Sequence, residues 1–501
     1  MLGRVVDEAA ERFGDASAFV ASSGWSLSYR RLARASDAVA LRLLEAGVGE
    51  GDVVALVLPA IPEYVVWYAA AAKIGAVTAG VNTRLAAPAR DAVLERAAPA
   101  VVVTTPELAP PVSTAPGASR IVLTPATTAE DLPDGPERPP PLDEDPERPV
   151  AIVFTSGTTG IPKGAVFAGR QLSFITRVDT GGRWGGGGRQ LAGTSFAHLG
   201  PMTKLAGNLR RGGTSFLMSR WQAGEALELT ERHRFSTVAG IPTQVALMLR
   251  DPSFDRRDLS CVQAVVMGGG PATAALVREA RRRFGAPVAV RYACTEAGIG
   301  LGTAFDDPPL DAEVSVGRPH AGVTLELLDE DGEQVGPGEV GEVCLRSPAV
   351  MSGYWRDPVA TAEAFTASGA VRTGDLGHLD EAGRLRLVGR RREMYVRGGE
   401  NVYPMAVEGV LAGHPDVADL AVVGCPDEVM GEIGVAVVVP RDPSRPPDLE
   451  DLRAFAGDRL GRHELPERLV LTDSLPLTAM DKVDRAALVR LVARSAPPPT
   501  R

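Results

Sequence analysis

Apolar and polar residues recur along the chain with two spacings, one typical of helices and one typical of strands. Apolar residues three and four positions apart predict amphipathic helices at residues 8–13, 29–46 and 62–74. Short apolar runs bounded by turn residues, such as 53–57, predict strands between those helices. Because strand and helix signals alternate, we expect parallel sheets that are covered by helices.

The same two signals continue beyond a segment of different composition. Residues 132–149 are dense in proline and charge, which predicts a surface connector. Apolar runs typical of strands resume after the connector, at residues 236–241, 261–266, 341–346, 420–423 and 435–439.

These patterns predict a multidomain protein of the α/β and α+β classes. Residues 1–391 hold the helix-covered sheets together with a β-rich subdomain around 341–346. Residues 392–501 have helix and strand signals of their own and are numerous enough for a small α+β domain.

Composition and charge narrow the range of functions. The chain has 501 residues, of which 45% are apolar, so it can bury a large core. Its 53 basic and 63 acidic residues give a formal charge of −10, which argues against a general nucleic-acid binder.

The four cysteines form no C-x-x-C pair, so we expect no zinc site, no disulfide framework and a reduced, cytoplasmic setting. The start of the chain lacks the apolar core of a signal peptide. The most apolar stretch, 65–81, is interrupted by Lys73, so we expect a buried helix and no membrane span.

One loop has the composition of a phosphate-binding site. The stretch FTSGTTGIPKG, residues 154–164, holds four hydroxyl side chains, three glycines and one lysine directly behind an apolar run. Glycines let backbone N–H groups approach phosphate oxygens, and hydroxyls add further donors. The stretch is not a Walker A loop, because Lys163 precedes Gly164, where that motif has Ser or Thr.

Four further motifs follow this loop. They are Tyr292-Ala-Cys-Thr-Glu296, Arg372-Thr-Gly-Asp-Leu376, Gly389-Arg390 with Gly398-Gly-Glu-Asn-Val-Tyr-Pro404, and Leu475-Pro-Leu-Thr-Ala-Met-Asp-Lys-Val-Asp-Arg485. In this order the set resembles the adenylate-forming superfamily of acyl-CoA synthetases, peptide-synthetase adenylation domains and luciferases. The chain looks most like an acyl-CoA ligase, with Ala293 and Asp481 at positions where the family usually has glycine.

The resemblance implies an ATP site. Its loop would cradle the β- and γ-phosphates, a glycine turn and Tyr292 would flank adenine, and Asp375 with Arg390 would hold the ribose. The implied ATP-binding residues are Thr155, Ser156, Gly157, Thr158, Thr159, Gly160, Lys163, Gly268, Gly269, Gly270, Pro271, Tyr292, Ala293, Cys294, Thr295, Asp375, Arg390 and Lys482.

The resemblance also implies catalytic and metal-binding residues. Glu296, with Thr155, would bind Mg²⁺, a hard cation that prefers oxygen ligands. His198 matches a family histidine near the reacting carboxylate, where it can gate the pocket between the half-reactions. Lys482 would neutralise the carboxylate and the α-phosphate during adenylation. The implied catalytic residues are therefore Lys482, His198, Thr155 and Glu296.

The second half-reaction implies a mobile small domain. Arg392 takes the hinge position, where the family usually has Asp or Lys, and residues 392–501 would act as a lid. CoA would bind near Arg84, Arg397, Gly398 and Gly399. Swinging the lid would exchange Lys482 for the 397–399 loop.

The implied acid pocket is rich in small and aliphatic residues. Its expected members are His198, Ala239, Gly240, Gly298, Ile299 and Gly300. Such walls leave volume and offer no evident partner for a substrate amine or hydroxyl, so they favour a bulky or extended apolar acid.

Three functions remain open from the sequence. The first is an acid–thiol ligase that uses a small carboxylic acid, ATP, Mg²⁺ and CoA and releases AMP and pyrophosphate. The second loads the thiol of a carrier protein instead of CoA. The third is a non-adenylating member that binds a preformed acyl-adenylate, for which Ala293 and Asp481 are the arguments.

Overall fold

The computed structural model describes residues 1–109, 118–155, 162–478 and 482–495. Within these ranges the chain forms helices of very different lengths, together with two short 3₁₀ helices at Ala129–Asp131 and Phe254–Arg256. The α-helices are α1 Leu2–Phe13, α2 Tyr29–Glu45, α3 Pro62–Lys73, α4 Ala87–Ala97, α5 Gly169–Thr180, α6 Leu199–Arg211, α7 Ala223–His233, α8 Pro242–Arg250, α9 Ala274–Phe284, α10 Asp311–Val314, α11 Pro358–Ala364, α12 Pro404–Leu411, α13 Leu449–Ala456 and α14 Arg485–Arg494.

The strands of the first two-thirds of the chain belong to three sheets. They are β1 Ser17–Val20, β2 Ser26–Ser28, β3 Val53–Val57, β4 Val77–Gly80, β5 Val101–Thr104, β6 Ser119–Val122, β7 Pro149–Thr155, β8 Lys163–Ala168, β9 Arg189–Ala192, β10 Thr214–Leu217, β11 Thr237–Gly240, β12 Ala264–Gly268, β13 Val288–Tyr292, β14 Leu301–Gly302 and β15 Arg318–Pro319. The largest sheet has the order β8-β7-β4-β3-β5-β6, and β4, β3, β5 and β6 in it are parallel. The second has the order β11-β12-β13-β14-β15, and the third β2-β1-β10-β9.

The remaining strands build two more sheets and extend one. They are β16 Thr324–Leu328, β17 Gly341–Arg346, β18 Gly353–Tyr354, β19 Val371–Leu379, β20 Leu385–Arg390, β21 Tyr395–Arg397, β22 Glu400–Val402, β23 Val417–Asp427, β24 Gly431–Pro440 and β25 Arg468–Leu471. The antiparallel sheet β16-β17-β19-β20 is the β-rich region, and β18 joins the largest sheet beside β8. The last sheet contains β22-β21-β24-β23, with β25 parallel to β24.

Local sequence explains why the helices begin and end where they do. The Ser28 side chain accepts a hydrogen bond from Arg31 N at the start of α2, and Thr273 does the same for Leu276 N at the start of α9. Proline stands in the first turn of α3, where its missing N–H costs no helical hydrogen bond.

The predicted fold class is confirmed: parallel sheets with helices, a β-rich region and a small α+β sheet follow one another along the chain. The helices predicted at 29–46 and 62–74 match α2 and α3 to within one residue. The strand predicted at 261–266 is wrong at its start, because residues 259–262 form a turn in which Val262 N donates to Leu259 O. The strand therefore begins at Ala264, and apolar character alone did not separate the turn from the strand.

The apolar stretch 65–81 forms a buried helix and a buried strand. Every residue of α3 apart from Ala72 is buried, and β4 lies in the centre of the largest sheet. Lys73 at the end of α3 donates to Asp7 at 2.7 Å and to Asp37 at 2.5 Å, so its charge is compensated inside the protein. Among the described residues, no helix combines the length and the apolar character needed to cross a membrane.

Between Arg390 and Tyr395 the chain leaves the β-rich sheet and enters the last sheet. Arg392, the predicted hinge, lies within this crossing. The last sheet has its own two apolar clusters, one of which includes Tyr395 and Val407 and the other Val435 and Leu488. The segment after the crossing therefore has a core of its own.

Candidate functional site

A cavity of about 2220 Å³ is lined by residues from both sides of the crossing at Arg392. Most of the predicted site residues in the described part of the chain lie around it. They are Arg84, Thr155, Lys163, His198, Ala239, Gly240, Gly268, Gly269, Tyr292, Ala293, Cys294, Thr295, Glu296, Gly298, Ile299, Gly300, Arg390, Arg392 and Lys482.

The two ends of the predicted phosphate loop meet at the cavity wall. Thr155 at the end of β7 and Lys163 at the start of β8 are paired across an antiparallel ladder, and Thr155 Oγ1 lies 3.4 Å from Lys163 O. Ser156, Gly157, Thr158, Thr159 and Gly160 lie outside the described residues. The described part of the loop thus presents one hydroxyl and one ammonium group to the cavity.

Tyr354 lies between Glu296 and Lys163, and sequence reasoning missed it. The Tyr354 hydroxyl donates to Glu296 Oε1 at 2.8 Å. The Lys163 ammonium lies 5.2 Å from the centre of the Tyr354 ring, within the range of a cation–π contact. Burial, with Glu296 next, raises the pKa of Tyr354, so its hydroxyl stays protonated and can donate. The ring is held in place because β18 pairs with β8, which begins at Lys163. Tyr354 follows Glu296 by 58 residues in the sequence, so neither motif gives a signal for it.

We expect Tyr354→Phe to weaken Mg²⁺-dependent nucleotide binding. The change keeps the ring over Lys163 and removes the hydroxyl that orients the Glu296 carboxylate. Loss of such an orienting contact costs about 10- to 100-fold in metal affinity or activity. Calorimetric titration of ATP at several Mg²⁺ concentrations measures the effect. In a Glu296→Gln background the same change should have little further effect, and additive losses would show that Tyr354 does not act through Glu296.

Asp375 lies at the centre of a second group of predicted site residues. It is 5% exposed, and its carboxylate accepts from Tyr292 Oη at 2.7 Å and from Arg390 Nε at 2.8 Å. Burial, followed by Asp375, raises the pKa of Tyr292, so the phenol acts as a donor. Asp375 does not itself line the cavity, whereas Tyr292 and Arg390 do. The carboxylate thus fixes both of these side chains at the cavity wall.

The glycine turn after β12 requires glycine for two physical reasons. Gly269 has φ +80°, which residues with a side chain rarely adopt. A Cβ at Gly268 would lie 3.1 Å from Arg291 O, so the two backbones are in close approach. Gly268 and Gly269 line the cavity, and the predicted ATP-binding residues Gly270 and Pro271 do not.

His198 lies at the amino end of α6, at the cavity wall. Its Nε2 is 3.4 Å from Nδ2 of Asn82, a buried residue that no motif indicated. Asn82 Oδ1 in turn accepts from Arg84 N at 3.0 Å. The segment of the predicted CoA-binding residue Arg84 therefore contacts the predicted gating histidine.

Lys482 reaches the cavity from the last part of the chain. Leu477 and Val483 pair as an antiparallel bridge, and Thr478 N donates to Lys482 O at 2.7 Å. Within the cavity, desolvation by the surrounding protein lowers the pKa of Lys482; Arg390 acts in the same direction and Asp375 opposes it. Lys482 is therefore influenced by the charges of Arg390 and Asp375, which are the predicted ribose residues.

Arg485 anchors this segment close to the crossing. It pairs with Glu408 at 2.8 Å and with Glu393 at 2.7 Å, and Glu393 is the residue after the predicted hinge. Because Arg485 begins α14, the two pairs tie the Lys482 segment to α12 and to the crossing. The sequence motif included Arg485 without indicating these partners.

The predicted CoA-binding loop lies elsewhere. Arg397 ends β21, Gly398 and Gly399 connect it to β22, and none of the three lines the cavity. Gly398 N donates to Met430 O at 2.8 Å, and Arg397 pairs with Glu467. In this conformation the cavity therefore receives Lys482 and not the 397–399 loop.

The wall of the predicted acid pocket is less apolar than the sequence suggested. Ala239, Gly240, Gly298, Ile299 and Gly300 line the cavity as expected. Ionisable side chains that no motif indicated line it as well, among them Asp179, Lys204, Arg291 and His320.

Two family profiles match the chain in sequence. The profile described as AMP-binding enzyme matches residues 6–355, and that described as AMP-binding enzyme C-terminal domain matches residues 406–482. The resemblance seen in the motifs is thereby confirmed.

Individual relatives are similar over nearly their whole length. The fatty acid–[acyl-carrier-protein] ligase ScoC of Streptomyces coeruleorubidus is 34% identical over 94% of this chain and 92% of its own. A feruloyl-CoA synthase of Amycolatopsis sp is 34% identical over 93% of this chain and 94% of its own. The structure of the amide bond synthetase McbA from Marinactinospora thermotolerans superposes with a TM-score of 0.86 at 31% identity, covering 98% of this chain and 100% of its own.

Proposed function

The chain belongs to the family of AMP-binding enzymes, and from this membership we propose that it is an AMP-forming acyl-CoA synthetase. In the first half-reaction, a carboxylate oxygen of the acid attacks the α-phosphorus of ATP. The bond from that phosphorus to the bridging oxygen breaks, and pyrophosphate leaves. In the second, the deprotonated thiol of CoA attacks the acyl carbon, the carbon–oxygen bond to AMP breaks, and AMP leaves.

One observation carries the proposal: Lys482, from the last part of the chain, lines the same cavity as Lys163 and Glu296. The two ammonium groups can neutralise an acid carboxylate and the phosphates, whose mutual repulsion opposes the attack. Asp375, with Tyr292 and Arg390 fixed around it, is proposed to position the ribose. His198 is proposed to gate the pocket beside the reacting carboxylate.

The chemistry of Glu296 fits a role in binding Mg²⁺. Its Oε1 accepts from Tyr354, and Glu296 lines the cavity. No group of three or more His, Cys, Asp or Glu side chains in the described ranges could hold a metal by itself. A divalent ion held here by Glu296 and Thr155 would therefore take its other ligands from phosphate and water, as Mg²⁺ commonly does. It would supply positive charge to the departing pyrophosphate.

We further propose that residues 1–391 and 392–501 move as two bodies about Arg392. The present arrangement, with Lys482 in the cavity, suits the first half-reaction. A thiol needs the same space, so the second requires Lys482 to leave and the 397–399 loop to approach.

The proposal also concerns the identity of the thiol that accepts the acyl group. Relatives of similar identity are named for a carrier protein and for CoA, and McbA for an amide bond. We favour CoA, because Arg84 at the cavity and Arg397 on the loop offer cations for its phosphates. A carrier protein is the second candidate.

Pyrophosphate exchange tests the proposal. Labelled pyrophosphate should enter ATP only when a suitable acid is present, and without any need for CoA. Exchange with none of a broad panel of acids would favour the non-adenylating alternative. Once an active acid is known, CoA and phosphopantetheinyl carrier protein are compared as acceptors of the acyl group.

We expect Gly399→Leu to impair transfer to the thiol and to spare adenylation. Gly399 has φ +90°, so leucine strains the turn that is proposed to flank CoA, and its side chain crowds the approach. Gly332→Leu is a matched control, because Gly332 has φ +86° and, like Gly399, open space around its Cβ position. Pyrophosphate exchange and thioester formation are measured for both variants. Equal loss of the two half-reactions in Gly399→Leu would contradict the role of the loop.

A further inference from the structure

Four ionisable side chains of the cavity wall form one cluster, the distal cluster, defined as Asp179, Lys204, Arg291 and His320. Lys204 Nζ lies 3.6 Å from Asp179 Oδ1. A Cβ placed on Gly302 would be 2.7 Å from Arg291 Nη1 and 3.1 Å from His320 Cε1, so these two side chains lie side by side. Burial lowers the pKa of His320; Arg291 and Lys204 act in the same direction, and Asp179 opposes them.

The Arg291 side chain lies on the opposite face of β13 from Tyr292 and its partner Asp375. Neighbouring residues of a strand point to opposite faces, and Tyr292 of β13 points to Asp375. Arg291, the preceding residue, therefore points to the other face, where Gly302 is its cross-strand partner. The cavity reaches both faces, because both side chains line it.

Helix α6 sets the distance between His198 and the distal cluster. His198 precedes the first residue of α6, and Lys204 lies within the helix. Six residues of helix span about 9 Å, so Lys204 lies about that far along the axis from the proposed site of reaction. Asp179 lies beside the next turn, since a Cβ on Gly207 would be 3.4 Å from Asp179 Oδ2.

The charges of the distal cluster do not balance. Lys204 is paired with Asp179, whereas Arg291 has no ion pair within 4.0 Å among the residues that the structure describes. Arg291 Nη1 donates to Val290 O at 3.2 Å and to Thr303 O, both uncharged acceptors. Burial lowers the pKa of Arg291, and Asp179 and Asp307 only partly oppose this. A half-buried guanidinium beside a cavity is stabilised by an acceptor oxygen from a ligand.

We propose that the acid bears a hydrogen-bond-accepting oxygen at its far end, a carboxylate or a neutral carbonyl, which Arg291 binds together with Lys204. This rests on the proposed acid activation and refines its substrate class. The body of the acid packs against the small and aliphatic wall formed by Ala239, Gly240 and Ile299. An entirely apolar acid would leave the charge of Arg291 with only the uncharged acceptors Val290 O and Thr303 O, which argues against the wholly apolar substrate expected from the sequence.

The test compares acids that differ only at the far end. Two scaffolds are used, para-substituted cinnamic acids and straight-chain acids, each ending in a carboxylate, a methyl ketone or an ethyl group. Pyrophosphate exchange gives kcat/KM for each acid, and calorimetry gives its affinity. The proposal predicts that, in at least one scaffold, a carboxylate or ketone is preferred over ethyl. Arg291→Met should reduce that preference about 10- to 100-fold, the effect of losing a charge-assisted hydrogen bond.

The controls separate failure of this inference from failure of the proposed function. The preference is the ratio of the kcat/KM values of two acids measured with the same variant. A smaller fraction of folded Arg291→Met enzyme lowers both values equally and leaves the ratio unchanged. Lys204→Met should reduce the ratio in the same direction, and Arg278→Met, on the exposed face of α9, should leave it unchanged. Exchange that favours the ethyl acids, or a ratio unaffected by Arg291→Met, overturns the inference and leaves acid activation intact. Exchange with no acid of any class overturns both.

Discussion

Lys482→Ala is expected to reduce acyl-adenylate formation by about 10²- to 10³-fold or more, the cost of losing one electrostatic contact to the transition state. Lys482 lines the cavity, and the charges of Arg390 and Asp375 act on its ammonium, in the arrangement proposed for the first half-reaction. Transfer from supplied acyl-adenylate to CoA should be nearly unchanged, because Lys482 must leave before the thiol approaches. The two rates are measured separately, by pyrophosphate exchange and by single-turnover thioester formation.

Arg490→Ala is the control for this prediction. Arg490 lies on the exposed surface of α14, the helix that follows the Lys482 segment, and it does not line the cavity. Removing that cation should change neither half-reaction. If Lys482→Ala slowed both half-reactions equally in a folded protein, the exchange of Lys482 for the 397–399 loop would be refuted.

Glu296→Gln is expected to cost on the order of 10- to 1000-fold in adenylation, the range for lost electrostatic stabilisation. The amide keeps the shape of the side chain and removes the charge proposed to hold Mg²⁺. It can still meet the Tyr354 hydroxyl, so the fold around β18 should persist. The half-saturating Mg²⁺ concentration for ATP binding should rise, and calorimetry measures it independently of turnover.

Glu363→Gln is the matched control. Glu363 also lines the cavity, and its carboxylate is exposed on α11. If the general negative charge of the cavity held Mg²⁺, and not ligation by Glu296, both variants would bind Mg²⁺ more weakly. A Mg²⁺ titration of Glu296→Gln that matches the wild type would reject Glu296 as the ligand.

Contiguous motifs allowed much of the site to be predicted from sequence. Thr155 and Tyr292 each end a strand, and Lys163 begins the strand that is antiparallel to that of Thr155. Because each motif is contiguous, Glu296, four residues after Tyr292, is brought to the site with it. Many of the described members of the motifs line one cavity, whereas Asp375 and the 397–399 loop do not. The assigned roles remain predictions until the variants are measured.

The rest of the site depends on pairings that no local pattern encodes. Tyr354 contacts Glu296 because β18 pairs with β8, and the strand order of a sheet is a long-range property. Asp179 and Lys204 meet only because α5 packs on α6. Arg291 stood one residue before a recognised motif, and the alternation of side chains along a strand could have shown that it points to the opposite face from Tyr292.

The oxygen balance of the reaction tests the central claim most directly. Acid labelled with ¹⁸O in its carboxyl group is converted in the presence of ATP, Mg²⁺ and CoA, and the products are analysed by mass spectrometry. Attack of the carboxylate on the α-phosphorus predicts that each AMP carries one ¹⁸O atom and that pyrophosphate carries none. Label in inorganic phosphate with formation of ADP, or unlabelled AMP, would contradict the adenylate mechanism.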